Sequence, residues 1–305
     1  MAPPVAILLS TWNGAAFLPD QLDSFLRQRD VPWELYWRDD ASCDDSAAIV
    51  RAFAAGPGAG RVFECTDDQG RLGITASFLS LLRRAPPDRV VAFADQDDVW
   101  LPEKLARGMA ALANVKDGGP ALYCARQSLV DAALKPLTLS ASLREPPGFP
   151  QSLTQNIATG CTVMLNPAAV RLITTTTAPP ETLHDWWAYL VVSAAGGQVL
   201  MDERPTVLYR QHHANAVGVR LSPRKRAMQA LRRGPNVFMR TFRQHTAALT
   251  SQPELLTSDA RAALAQIDCG LRDGPLRRLR ALGLPGLRRQ SFAETQLFRL
   301  WFLLG

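Results

Sequence analysis

Nothing in the 305-residue chain reads as a membrane span, a phosphate loop or a cysteine metal cluster. No window reaches the ~18–20 apolar residues that a spanning helix needs. The opening Met-Ala-Pro-Pro lacks the basic segment of a signal peptide. The five cysteines (Cys43, Cys65, Cys124, Cys161, Cys269) lie far apart with no C-x-x-C. That argues against a disulfide framework and a zinc cluster, and for a reducing compartment. No G-x-G-x-x-G follows the first apolar run, which argues against a nicotinamide or flavin site, and no G-x-x-x-x-G-K-[ST] occurs, so this is no P-loop ATPase. The 22 prolines and 20 glycines have no period, which excludes collagen and solenoids. With 47% apolar and 20% charged residues the chain is not disordered. A globule of this size buries roughly 75% of its unfolded surface and needs no covalent staple.

What is present is unevenly charged. The net +6 divides into −5 over residues 1–219 and +11 over residues 220–305. An acid-rich body thus carries a basic tail, which suggests different tasks for the two parts.

The body alternates strands and helices. Val5-Ala6-Ile7-Leu8-Leu9 reads as a buried parallel strand ended by Ser10-Thr11-Trp12-Asn13-Gly14. A helix is predicted from Phe17 to Arg29, and a strand from Trp33 to Trp37 ending in Asp39-Asp40. Ser42 or Asp44 is expected to cap a helix through Phe53. A strand follows at 61–64, a helix capped by Thr75 runs to Arg84, and a strand at 89–94 leads into Asp95-Gln96-Asp97-Asp98-Val99-Trp100. Pro102 suits the first residue of the next helix. This is an α/β pattern with a mainly parallel, doubly wound sheet, whose ligand site lies beyond the carboxyl ends of its strands. Later segments suggest strands at 121–124, 160–165, 198–201 and 205–209, a loop over 131–150, a helix capped by Asn166-Pro167 and another from His184 to Ala194. The tail reads as helices broken at Gly234-Pro235, Gln252-Pro253, Gly274-Pro275 and Pro285-Gly286.

Four groups could carry chemistry. Asp95 and Asp97, two apart on extended chain, can face one cation, and hard divalent ions take carboxylate oxygens. The plainer alternative is an acidic turn with Asp98 at a helix start. Asp39-Asp40 can accept from a base N–H or ribose hydroxyl, or form an Asx turn. In His184-Asp185-Trp186-Trp187 a carboxylate beside two aromatics could be a base of raised pKa, or a helix cap beside core tryptophans. His212-His213 with Asn215 could bind a metal or phosphate, or be surface loop.

Taken together these segments resemble family 2 glycosyltransferases of the rhamnosyltransferase kind. The resemblance rests on 5–14, Arg38-Asp39-Asp40-Ala41-Ser42-Cys43-Asp44, 94–104, Thr159-Gly160-Cys161, 184–187 and Tyr209-Arg210-Gln211-His212, in the family's order. It implies a GT-A fold and inverting transfer from a nucleotide-diphosphate sugar. Thr11, Asn13, Asp39, Asp40, Asp95 and Gln96 would then hold the nucleotide sugar. Asp95, Asp97 and His212 would hold Mg²⁺ or Mn²⁺, and Asp185 would be the catalytic base. His213 replaces the family's usual glycine, and His184 stands where an acidic residue often precedes the base. The resemblance further implies dTDP-rhamnose as donor and a surface polysaccharide or lipid-linked acceptor.

The division expected is a glycosyltransferase domain over 1–219 (nucleotide-sugar half 1–115, acceptor half 116–219) and a basic helical extension over 220–305. The extension lacks the basic-aromatic interleaving of nucleic-acid binders. It is expected to dock on an anionic membrane surface or a partner, with a homo-oligomer interface as the alternative. The location expected is cytoplasmic, peripheral on the inner face of the cytoplasmic membrane. The rival to an enzyme is a non-catalytic nucleotide-sugar or glycan-binding scaffold docked there.

Overall fold

The computed structural model describes residues 3–66, 70–212 and 235–304. Its strands are β1 (Val5–Thr11), β2 (Trp33–Asp39), β3 (Val62–Glu64), β4 (Val91–Ala94), β5 (Val99–Trp100), β6 (Ala121–Val130), β7 (Pro136–Leu139), β8 (Met164–Leu165) and β9 (Gln198–Arg210). They form one sheet in the order β3-β2-β1-β4-β8-β6-β9-β5, with β7 paired to β6. The β3-β2-β1-β4 portion is parallel throughout. Beyond β4 the short β8 pairs antiparallel on both sides, and parallel pairing resumes between β6 and β9.

The run at β1 is apolar on both faces because both faces are covered. Ala6 and Leu8 pack with Phe78, Leu81 and Phe93 on one side. Val5, Ile7 and Leu9 pack with Leu18, Leu22, Phe25 and Trp33 on the other. In register, Thr11 lies opposite Asp39 and Leu9 opposite Ala94, so the residues that follow these strands emerge along one edge.

The helices are α1 (Leu18–Leu26), α2 (Ser46–Ala55), α3 (Ile74–Arg84), α4 (Lys104–Ala113), α5 (Gln151–Thr154), α6 (Pro167–Thr174) and α7 (His184–Ala194), followed by α8 (Pro235–Thr250), α9 (Ser258–Arg272), α10 (Pro275–Leu282) and α11 (Phe292–Leu304). Asn166 caps α6, its Oδ1 accepting from Ala169 N at 2.9 Å. Other starts differ from expectation. Thr75 sits inside α3 and donates to the Thr182 carbonyl, while Gly73 (φ 80°) takes the cap position. Pro102 lies in a turn ahead of α4. The strands expected at 198–201 and 205–209 are one 13-residue strand with a register shift against β6 near Gln127. The 131–150 loop contains β7.

Gly274-Pro275 separates α9 from α10, and Pro235 opens α8. These tail helices share a core with the body: Phe242, Phe298 and Phe302 are fully buried in the cluster that holds Trp187 and Leu190. Thr182 Oγ1 lies 2.8 Å from His245 Nε2 across this contact. The boundary expected at residue 219 falls outside the described residues. Among the described residues no helix is long and apolar enough to cross a membrane.

Candidate active site

The loop after β4 is held from both sides. Gln96 exchanges two bonds with the Trp12 backbone: its Oε1 accepts from Trp12 N at 2.8 Å and its Nε2 donates to Trp12 O at 2.9 Å. Gly14 makes room for this amide, since a Cβ there would lie 2.3 Å from Gln96 Cδ. Gln96 therefore ties the β4 exit to the β1 exit. His212 Nε2 stands 2.7 Å from Asp97 Oδ2, and its ring stacks on Phe17 with centroids 4.5 Å apart.

Asp98 turns inward. It is fully buried, and its Oδ1 accepts from Arg210 N at 3.0 Å. Asp95, Asp98 and Cys161 bring ligand-type atoms within 4.8 Å of one another. Burial pushes the Cys161 thiol well above its usual range. A protonated thiol suits a hard cation poorly. The fully buried Lys104 lies 4.2 Å above the Trp100 ring, and burial lowers it to about 8 against the attraction of Cys161, Asp98 and Asp95. Burial, then the charges of Asp97 and Asp185, push Asp95 up to about 8. Asp95 therefore keeps a proton at neutral pH, and a bound cation would favour its release. Carboxylate oxygens from Asp95 and Asp97 with the imidazole of His212 are a donor set that fits Mg²⁺ or Mn²⁺.

At the exits of β1 and β2 the polar residues bind one another. Thr11 is fully buried and donates to Asp39 Oδ1 at 2.8 Å. Ser42 donates to Asp39 through its amide (2.8 Å) and its hydroxyl (2.6 Å) instead of capping α2. Asp44 Oδ1 accepts from Ser46 N at the start of α2. Asn13, at φ 49°, accepts from Cys43 N at 2.8 Å and donates its own N–H to Ser42 Oγ. Asp40 is only 3% exposed. Its oxygens pair with Arg38 and accept from Leu72 N (2.6 Å) and Gly73 N (2.8 Å). Both Thr11 and Asp40 are buried, Thr11 supporting Asp39 and Asp40 supporting the 70–73 turn. The Arg71 guanidinium sits 3.8 Å above the Trp12 ring, which is 43% exposed.

Asp185 stands in the first turn of α7. Its Oδ2 accepts from Gly160 N at 2.8 Å and its Oδ1 from Trp186 N at 2.6 Å. Burial lifts it to about 6, less than burial alone would, because these bonds and one from Asn156 favour the ionised form. Gly160 is required sterically: a Cβ would lie 2.9 Å from His184 Nε2. His184 stacks on Phe78 at 3.9 Å, and burial lowers it to about 3, so it is neutral at physiological pH. The tryptophans are structural: Trp186 Nε1 donates to the Ser152 carbonyl, and the buried Trp187 donates to Thr176 Oγ1.

Arg210 was missed as a site residue. Its side chain, almost wholly buried, donates from Nε to the Asp97 carbonyl (2.8 Å), from Nη1 to the Ala132 carbonyl (2.6 Å) and from Nη2 to Asp20 Oδ2 (2.8 Å). Lys104, Cys161 and Arg71 were missed as well. The available signal was a charged residue inside a buried stretch, as at Arg210 within Val207–His212. His213 and Asn215 lie outside the described residues.

Residues 6–138 match the sequence profile of Glycosyl transferase family 2. The chain is similar to the dTDP-rhamnosyl transferase RfbG of Shigella flexneri, 26% identical over 235 residues, covering 70% of this chain and 75% of that relative. An uncharacterised glycosyltransferase of Nostoc sp. is 31% identical over 105 residues, 34% of this chain and 31% of its own length. Among solved structures, S. aureus TarS 1-349 in complex with UDP-GlcNAc shares the fold with a TM-score of 0.62 at 14% identity, over 92% of this chain and 80% of that one. The chain thus has the GT-A fold, its residues 6–138 match Glycosyl transferase family 2, and it is similar to a dTDP-rhamnosyl transferase.

Proposed function

We propose that the chain transfers a sugar, with inversion, from a nucleotide-diphosphate donor to an acceptor hydroxyl, and that the donor is dTDP-rhamnose. The observation that carries this reading is the 2.7 Å contact of His212 Nε2 with Asp97 Oδ2 in the loop after β4, which Gln96 ties to the exit of β1. The donor choice follows the S. flexneri relative.

In this reading Asp39, held by Thr11 and Ser42, and the Trp12–Arg71 pair receive the nucleoside. Asn13, Gln96 and Asp40 shape that subsite, Asp40 through Leu72 and Gly73. Asp95, Asp97 and His212 hold Mg²⁺ or Mn²⁺. A bound divalent ion supplies neutralisation of the charge that develops on the departing nucleoside diphosphate. Asp185 takes the proton from the acceptor hydroxyl as that oxygen attacks the anomeric carbon, opposite the leaving group. Its value of about 6 leaves it mainly ionised at neutral pH yet basic enough to work there. Gly160 and Trp186 fix which way its oxygens point. One base suffices, and no covalent nucleophile is needed.

The acceptor is a surface polysaccharide or lipid-linked glycan. The nucleotide-sugar half spans 1–115, the acceptor half 116–219 and the basic extension 220–305. The enzyme works as a peripheral protein on the inner face of the cytoplasmic membrane. A thermal-shift screen of nucleotide sugars with Mn²⁺, followed by detection of released nucleoside diphosphate, tests this. dTDP-rhamnose should give the largest shift and turn over. Binding without release in the presence of acceptor would point to the scaffold, and no shift with any nucleotide sugar would reject the site.

A further inference from the structure

The last two helices bury one face and expose apolar side chains on the other. Helix α10 buries Ala281 and Leu282, and α11 buries Phe298, Trp301 and Phe302. Yet Leu276 is 82% exposed and Leu304 70%, with Leu279 and Leu300 at least half exposed. These four belong to one surface. Leu279, Arg299 and Leu300 line the same groove of about 480 Å³. Arg278 Nη1 donates to the Leu303 carbonyl at 2.7 Å, which sets the start of α10 against the end of α11. Leu276 and Leu304 then extend the patch, each about one turn further along its helix.

We propose that this face docks on an anionic lipid bilayer, with the leucines entering the headgroup–acyl boundary and Arg280 and Arg299 meeting lipid phosphates. The proposal rests on the peripheral location given above and is independent of the transfer chemistry. Charge selects the occupant. Residues 275–304 carry six arginines and one glutamate; Arg277 pairs with Asp273 and Arg288 with Glu145, and Arg280 and Arg299 add exposed positive charge beyond those pairs. A second copy of the chain would set two such cationic faces together, which repel. A negative surface attracts them, and arginine stems cover apolar surface while their heads reach the phosphates. Helix α11, with 13 residues, is too short to span and suits lying along an interface.

The test is flotation of the full chain with vesicles of equimolar phosphatidylcholine and phosphatidylglycerol, and with vesicles of phosphatidylcholine alone. Wild type should float with the anionic vesicles only. Leu276→Glu/Leu279→Glu and, separately, Arg280→Glu/Arg299→Glu should each lower the partition coefficient at least about tenfold. All of these side chains are at the surface, and circular dichroism checks the fold. Nucleotide-sugar thermal shifts on the same preparations should be unchanged, so loss of docking is distinguishable from failure of the donor site. Wild type that stays with the soluble fraction, or variants that float as wild type does, would overturn the proposal. So would a concentration-dependent dimer in sedimentation that the leucine variants abolish, because the face would then be an interface between copies.

Discussion

His212 and Asp97, 115 positions apart in the chain, meet with Nε2 2.7 Å from Oδ2. β9 delivers the histidine, and Asp98 and Arg210 fasten the end of that strand to the loop after β4. The contact thus joins the segment just after β9 to the acidic loop.

If this pair holds the cation, its members should not be equal. Asp97→Ala removes a charged ligand and should reduce transfer about 10²–10³-fold, the scale of a lost charge-stabilising group. His212→Ala should weaken the apparent Mn²⁺ affinity about 10–100-fold while leaving turnover at saturating metal closer to wild type. Nucleoside-diphosphate release titrated with Mn²⁺ separates the two. A fully active Asp97→Ala would remove the metal role.

Asp185 should govern rate rather than donor affinity. Asp185→Asn is expected to lower turnover about 10²–10⁴-fold, as loss of a general base does. Its donor-induced thermal shift should match wild type. A carboxyl lifted to about 6 is protonated and inactive below that pH and ionised above it, so kcat/KM should rise with pH through about 6. An acid limb near the ordinary carboxylate value, or a variant that loses donor binding instead, would reassign the residue.

Metal removal should expose a pH dependence of stability. In the folded chain without cation Asp95 keeps its proton up to about 8, whereas the unfolded chain releases it near the ordinary carboxylate value of 3.8. Between those values the folded state binds more protons, so stability falls as pH rises. In chelator the melting temperature should therefore decline across this window. Mn²⁺ should flatten the decline, and so should Asp95→Asn. Equal slopes with and without Mn²⁺ would mean that the ion does not bind at Asp95.

Much of the framework is legible in the sequence because it is local. The apolar run at Val5–Leu9, the Asn166 cap and the helix at His184–Ala194 are each specified by neighbours within a few residues. What was not legible depends on distant partners. No local pattern around Asp40 shows that Leu72 and Gly73, 32 and 33 positions on, donate to its oxygens. Thr75 reads as a cap until α3 packs near α7 and the Thr182 carbonyl takes its hydroxyl. The parallel pairing of β6 with β9, about 77 residues apart, leaves no periodic trace in either segment.

Lys104 gives the sharpest test of an interior charge that local pattern conceals. Its ammonium is fully buried near Asp95 and Asp98 and has no hydrogen-bond partner among the described residues, so its stabilising role is electrostatic. Removing one member of such a group leaves the others uncompensated. Lys104→Met should therefore destabilise the fold by about 3 kcal/mol, the low end for a broken buried pair because Asp98 can take up a proton. Asp98→Asn in the same chain should recover part of that loss, since the charge that Lys104 balances is gone. Urea unfolding of the two single variants and the double variant measures the coupling. Strict additivity would show that Asp98 is already neutral and that the lysine is held by its contact with Trp100 alone.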